Sequence, residues 1–158
     1  GFMDGMALRL PTVCVRPGKP NAAASGFFSN IIREPLVGME AVLPVDDGLV
    51  HWHASPRATV GFLLHAITMD TAAVGHDRGI TMPGIAVSVA EQLDALERIA
   101  GPQARALVRH EPDPAVAEIV TNWPASFDAR RGGALGFKAE QSFDAIIRTH
   151  IEDEQIVL

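Results

Sequence analysis

Apolar positions along this chain fall into short consecutive runs and longer helical stripes, one kind following the other. Residues 12–15 (Thr-Val-Cys-Val) are apolar on both alternating faces. That pattern predicts a strand buried on two sides, as inside a parallel sheet. The run stops at Arg16-Pro17-Gly18. Ser25 then stands where it can cap a short helix through Phe27, Phe28, Ile31 and Ile32. Glu34-Pro35 should end that helix, because proline disfavours helical geometry in the residue before it. Neighbouring Phe27 and Phe28 cannot share one helix face, so one is expected in the core and the other at a wall or interface. Residues 41–45 and 49–54 predict two strands, with Asp47-Gly48 as a hairpin turn between them. Ser55-Pro56 pairs a capping residue with a proline suited to the first helical position. The following Val60, Leu63, Leu64 and Ile67 lie at helical spacing on what should be a core face.

Further on, residues 79–82 read as a strand. Ser88 and Glu91 have capping-box spacing at the head of a helix whose apolar positions are Val89, Leu93, Leu96 and Ile99, and Gly101-Pro102 should end it. Leu107-Val108 suggests another short strand, and Asp113-Pro114 begins another helix. Ser126 is placed to cap a helix leading to Gly132-Gly133. Ser142 caps the last one, with Phe143, Ile146, Ile147 and Ile151 on its inner side. The alternation makes the chain mixed α/β, with no internal repeat, low-complexity tract or linker to divide it.

Composition narrows the function classes. At 158 residues, 47% hydrophobic and 20% charged, the chain can build one real core but not two ordinary domains. Thirteen basic residues stand against 19 acidic ones, for a net charge of -6. No Lys/Arg cluster could follow a phosphate backbone, so nucleic acid is a poor partner. Cys14, the single cysteine, excludes an intrachain disulfide, fits a reducing cytoplasm, and reads as a small buried hydrophobe. No stretch approaches the roughly 18 unbroken apolar residues of a membrane helix, and the first residues lack the features of a signal peptide. The expected setting is cytoplasmic.

Local motifs are sparse. His51 and His53 flank Trp52 on a predicted strand and so share one face, a spacing that can bind metal, but no third ligand is apparent. Asp46 and Asp47, next to Gly48, read as turn formers rather than paired catalytic carboxylates. Arg130-Arg131 reads as a solvated helix end more readily than an anion site. There is no GxSxG, P-loop or GxGxxG, and tyrosine is absent. No residue is therefore assigned as catalytic or as a metal ligand. The segment "RPGKPN" remains: a Pro-Gly turn at the carboxyl end of a strand leaves backbone free to approach a flat ring, at the end of the sheet where α/β ligands bind.

Over its whole length the chain resembles the C-terminal, substrate-side half of an extended short-chain dehydrogenase/reductase of the NAD-dependent epimerase/dehydratase class. "LRLPTVCVRPG" is similar to the strand whose following turn closes over the nicotinamide. "LVHWHASPRATVGFLLHA" is similar to the strand and helix lining the substrate side, with the usual acidic pair replaced by Ser55-Pro56. "RGITMPGIAVSVAEQLDALERIAG" resembles the segment where a strand leads into a capped helix. "FDARRGGALGFKAEQSFDAIIRTHIED" resembles the closing helices, with Leu135-Gly136-Phe137 at the turn. Within the class, "RLPTVCVRPGKPNAAASGFFSNIIREPL" is closer to a branch oxidising a four-carbon sugar acid at its 2-hydroxyl than to nucleotide-sugar epimerases.

The resemblance implies a single unit. Residues 1–22 would end the Rossmann sheet and form the nicotinamide-side turn, and residues 23–158 would be mainly the substrate-binding portion with its closing helices. It implies NAD in the complete enzyme, with Pro17, Gly18, Lys19 and Pro20 against its nicotinamide end. Asn21, Ala22 and Ser25 would lie beside the reacting carbon. A sugar acid also needs a cation for its carboxylate, and Arg33 and Lys19 are the candidates. The family's glycine-rich loop and Tyr-xxx-Lys pair have no counterpart here, so the chain reads as a fragment, inactive alone. Its expected partners are the missing N-terminal half, a small sugar acid, and further copies of the enzyme in a homo-oligomer. Two alternatives stay open: half of a nucleotide-sugar epimerase or dehydratase, and a non-catalytic module binding a small acid. The fragment reading further expects residues 12–15 to lack their natural strand neighbours, while the module would be self-contained.

Overall fold

A computed structural model describes residues 4–20 and 23–158. Its first extended stretch holds β1 (Ala7–Arg9) and β2 (Thr12–Val13). After a 3-10 turn at Ala24–Gly26 come α1 (Phe27–Leu36), β3 (Ala41–Leu43), β4 (Val50–Ala54) and α2 (Pro56–Thr68). A second 3-10 turn, Thr71–Val74, leads to β5 (Gly79–Thr81), β6 (Ile85–Ser88), α3 (Val89–Ala106) and β7 (Val108–His110). Three helices close the chain: α4 (Pro114–Val120), α5 (Arg130–Ala134) and α6 (Phe143–Asp153). The mixed α/β class is as the sequence indicates.

Three small sheets carry the architecture. β1 pairs in parallel with β5, β2 in parallel with β4, and β4 antiparallel with β6. β3 pairs in parallel with β7. The expected strand at residues 12–15 is thus regular only over two residues. It is parallel to its neighbour, and Cys14 and Val15 beyond it are fully buried. Among the described residues it has a strand partner on one side, β4.

The hairpin across Asp47-Gly48 does not form. The turn is made as expected, with Asp46 Oδ1 accepting from Gly48 N at 2.8 Å, but it passes the chain from one sheet to another. β3 is committed to β7, with Glu111 N donating to Leu43 O. The carbonyls of Asp47 and Leu49 accept instead from Ala90 and Val89 at the head of α3. Long-range partners outbid the local turn signal.

Helix ends follow local chemistry in most places. Ser55 Oγ accepts from Ala58 N, Asp113 caps α4, Ser142 Oγ accepts from Ala145 N, and Ser88 with Glu91 forms the complete capping box. α3 breaks at Gly101, where φ is 85°, and Pro102 starts a short second stretch. Two expected caps are absent. Ser25 lies inside the 3-10 turn and makes no cap bond to α1, and Ser126 is too far from α5, where Asp128 Oδ1 accepts from Arg130 N instead. Pro35 does not end α1 either. The helix runs one residue past it and closes on Gly38 (φ 75°), with Met39 N donating to Glu34 O and Gly38 N to Pro35 O.

α1 is buried nearly all round, which overturns the assignment of only one of its phenylalanines to the core. Phe27 and Phe28 are both buried, their ring centroids 4.1 Å apart. Around α1 the main core gathers Ile31, Ile32, Leu43, Leu93, Leu96, Ile146 and Ile147. A second cluster packs α2 onto β5 through Phe62, Val74, Ile80, Met82 and Phe137. Here the expectation for α2 fails. Val60, Leu63, Leu64 and Ile67 are not core: they are 54, 49, 60 and 80% exposed, and Phe62 alone is the buried anchor of that helix. Periodicity identified an apolar stripe correctly but not which side of the helix this chain covers.

Candidate functional site

The strand end that carries the "RPGKPN" segment is fixed by α1. Arg16 N donates to Ser29 Oγ at 3.0 Å, and Arg16 O accepts from Arg33 Nη1 at 2.7 Å. Arg33 also bonds Asn30 Oδ1 at 2.8 Å and Glu34 Oε1 at 2.6 Å. Its guanidinium is therefore mostly engaged, tying the strand to the helix with its planar fork. From this fixed root Pro17, Gly18, Lys19 and Pro20 project into solvent. Gly18 has φ +88°, a conformation that favours glycine, and nothing lies within 4 Å of where its Cβ would be.

Two clefts meet at this segment. The smaller, about 70 Å³, is lined by Arg16, Pro17, Lys19, Gly26, Asn30 and Arg33. Its neighbour, about 640 Å³, shares Lys19 and Arg33 and is walled by Glu34, His150 and the end of α6. Arg16 and Lys19 make no ion pair with any described residue, so two free cations flank a third that is already paired. On a chain of net charge -6 this is a local positive site with an anion-sized opening. In the larger cleft Glu34 Oε2 and His150 Nε2 are buried without a hydrogen-bond partner among the described residues. Burial holds the His150 imidazole below its usual pKa.

Of the residues singled out from sequence, Lys19 and Arg33 line the small cleft together. Ser25 lies in the turn one residue before Gly26 of its wall. Asn21 and Ala22 lie outside the described residues. Sequence reasoning missed Asn30, Glu34 and His150 and gave Arg16 no role of its own. Asn30 and Arg33 are three apart on a helix, a spacing that would have paired them. Nothing local points to His150, which reaches the cleft through tertiary packing.

The other candidates resolve as structure. His51 and His53 share a face of β4, as expected, and both pack on Phe28. Thr12 Oγ1 lies 2.7 Å from His51 Nε2, and the Gln92 side-chain nitrogen lies 3.1 Å from His53 Nε2. Burial first, and the neighbouring His51 second, push the His53 pKa down to about 3. Among the described residues no group of three or more His, Cys, Asp or Glu could hold a metal ion. Cys14 donates to Phe28 O at 3.2 Å, and burial raises its pKa to about 12, so it is a packed, unreactive thiol. Arg131 is no loose helix end: it bonds Asp77 and the carbonyls of Val74 and Gly79. Ser55 donates its hydroxyl to Glu140, whose other oxygen accepts from Ser55 N, so a carboxylate braces the head of α2. Among the described residues no helix is long and apolar enough to cross a membrane.

This architecture recurs in about half of the length of known dehydrogenase and epimerase chains. The chain matches the C-terminal half of extended short-chain dehydrogenase/reductases of the epimerase/dehydratase type. It is 47% identical over 153 residues to the D-erythronate dehydrogenase of Cupriavidus necator, covering 97% of this chain and 47% of that protein. It is 40% identical to that of Haemophilus influenzae, covering 96% and 48%. The chain thus spans about half the length of the curated relatives it matches. The crystal structure of the nucleoside-diphosphate-sugar epimerase from Agrobacterium tumefaciens superposes with a TM-score of 0.96 at 56% identity, covering 98% of this chain and 45% of that one. L-threonine 3-dehydrogenase from Trypanosoma brucei shares the fold at 17% identity, with a TM-score of 0.81. No protein-family model matches the chain.

Proposed function

We propose that this chain is the substrate-side half of an NAD-dependent oxidoreductase that oxidises the 2-hydroxyl of a four-carbon sugar acid of the D-erythronate type. The observation that carries the reading is the convergence of Arg16, Lys19 and Arg33 on one small cleft at the root of the exposed Gly18 turn. Unpaired cations in a partly enclosed site attract an anion, and a sugar acid offers one at one end and hydroxyls along its length. Arg16 and Lys19 take the carboxylate. Arg33, held by Glu34 and Asn30, keeps the cleft wall in place and has one N–H to spare for the same group.

The open backbone at Gly18 suits a flat nicotinamide, so Pro17, Gly18, Lys19 and Pro20 would lie along it. Hydride acceptance is the chemistry NAD supplies when bound. This chain's part is to hold the acid end, to present the 2-carbon between Ser25, Asn21 and Ala22, and to keep the acid from turning end for end. The proton of the hydroxyl must leave to a base that this chain, without tyrosine, does not carry in the family's usual form. By itself the chain is expected to reduce no NAD.

A second reading, half of a nucleotide-sugar epimerase, draws on the 56% identity to the Agrobacterium protein. The same cations suit a diphosphate. The test is to join the N-terminal half of the Cupriavidus relative to this chain and follow NADH with D-erythronate, and separately the interconversion of nucleotide sugars. NAD reduction with the acid is expected. In that enzyme Lys19→Ala should raise KM for the acid roughly 10- to 100-fold, the effect of one charge-assisted hydrogen bond of about 1.5–3 kcal/mol. Nucleotide-sugar turnover without oxidation of the acid would replace the first reading with the second.

A further inference from the structure

The larger cleft, about 640 Å³, opens between α1, α6 and the residues that follow α6, and the proposed reaction makes no use of it beyond the shared Lys19 and Arg33. Two of the groups that line it are buried and incompletely bonded. Glu34 and His150 are only 6 and 4% exposed. Oε1 of Glu34 meets the Arg33 guanidinium, but Oε2 has no hydrogen-bond partner among the described residues, and neither has His150 Nε2. Both atoms lack the bonds that water makes to them in the unfolded chain, so a ligand that supplies those bonds restores what folding removed.

The surroundings define what that ligand carries. Charge in the cleft is balanced: Arg33 is paired with Glu34, and among the exposed residues of the lining Lys19 is offset by Glu154. An anion would be brought against two carboxylates and a cation against Arg33 and Lys19, which favours a molecule of no net charge. Oε2 of Glu34 can only accept, so the ligand must donate there. Burial keeps the His150 imidazole uncharged at neutral pH, and its Nε2 accepts or donates according to the tautomer. A hydroxyl answers both demands, since it donates and accepts. Val37, Met39 and Ile156 add an apolar wall suited to the C–H face of the same molecule.

We propose that this cleft is a binding site for an uncharged polyhydroxy compound, a sugar or polyol, with neighbouring hydroxyls read by Glu34 Oε2 and His150 Nε2. The site goes beyond the acid-binding role above and does not depend on it.

The test uses the chain itself, with erythritol and D-glucose as uncharged probes and D-erythronate as the charged one. Binding is followed by calorimetry and by the imidazole nitrogen resonances of His150. Erythritol or D-glucose is expected to bind at millimolar concentration and to move those resonances, because a hydroxyl comes into contact with Nε2. His150→Phe keeps a ring without the nitrogen and should weaken binding at least about tenfold, the effect of one lost hydrogen bond to a buried group. Met39→Trp sets a larger side chain against the cleft. Met39 is 58% exposed, so circular dichroism should stay that of the parent chain while binding is lost. His150 resonances that neither uncharged probe moves, or binding that Met39→Trp leaves intact, would overturn the site. Movement of those resonances by D-erythronate alone would overturn it too and give the cleft to the acid. NAD reduction by the joined enzyme is measured apart from all of these, so the half-enzyme reading is judged separately.

Discussion

Acidification from pH 7 to pH 5 should destabilise the folded chain by about 2 kcal/mol through His53 alone. This imidazole is fully buried between Phe28 and Phe143, beside Gln92, and its pKa is pushed down to about 3 from the usual 6.5. The unfolded chain takes up a proton on His53 as pH drops below about 6.5, while the native chain does not until near 3. Stability is therefore complete above about 6.5 and lost progressively as pH falls toward 3. At pH 5 the protonated unfolded form is favoured about thirtyfold, which is where the figure of about 2 kcal/mol comes from. His51 and His150, also lowered by burial, act in the same direction. The assay is urea unfolding followed by tryptophan fluorescence, since Trp123 packs against His51. His53→Gln keeps a polar partner for Gln92 but does not titrate, so its stability should depend on pH distinctly less steeply. A variant with the parent's slope, or a parent with no slope between pH 6.5 and 5, would refute the reasoning.

Three other substitutions probe the frame around the site. Ser55→Ala removes the cap of α2 and the hydroxyl that meets Glu140, and should cost about 1–2 kcal/mol by urea titration with α2 otherwise intact. Phe62→Ala empties the centre of the second cluster and should cost about 3–5 kcal/mol, visible as a fall in Tm. Gly84→Ala would set a methyl 2.6 Å from the His53 carbonyl oxygen, so β4 and β6 must part; about 1–3 kcal/mol of stability should go, read by calorimetry.

The contrast between what was and was not legible in the sequence has a physical basis. The caps at Ser55, Ser88, Asp113 and Ser142 depend on a donor and an acceptor within three residues, so the local sequence contains the whole interaction. The hairpin at Asp47-Gly48 depended on what β3 and β4 would pair with, and those partners, β7 and β2, are far away in the chain. β6 was not foreseen at all: Ile85–Ser88 is short, and antiparallel pairing with β4 makes it a strand. The α2 stripe shows another limit. Periodicity reports that a side must meet protein without reporting that the protein belongs to the same described residues. In the candidate site, Lys19 and Arg33 were named because the family resemblance implies an acid that needs a cation, and both line the small cleft. Asn30 and Glu34, on α1 beside Arg33, were within reach of helical spacing, whereas His150 was missed because only the packing of α6 beside α1 brings it to the larger cleft.

The unequal anchoring of the cationic cleft bears on how its preference could be redirected. One wall, Arg33 with Asn30 and Glu34, stands on a helix whose burial leaves little room to change a side chain without disturbing the core. The other, Lys19 between Pro17 and Pro20, is solvent-facing. Variation, natural or in a laboratory library, is thus tolerated on one side only. In the proposed half-enzyme, exchanging Pro17, Lys19 and Pro20 among relatives should alter the preference for an anion sooner than any exchange within α1, while Gly18, at φ +88°, stays glycine.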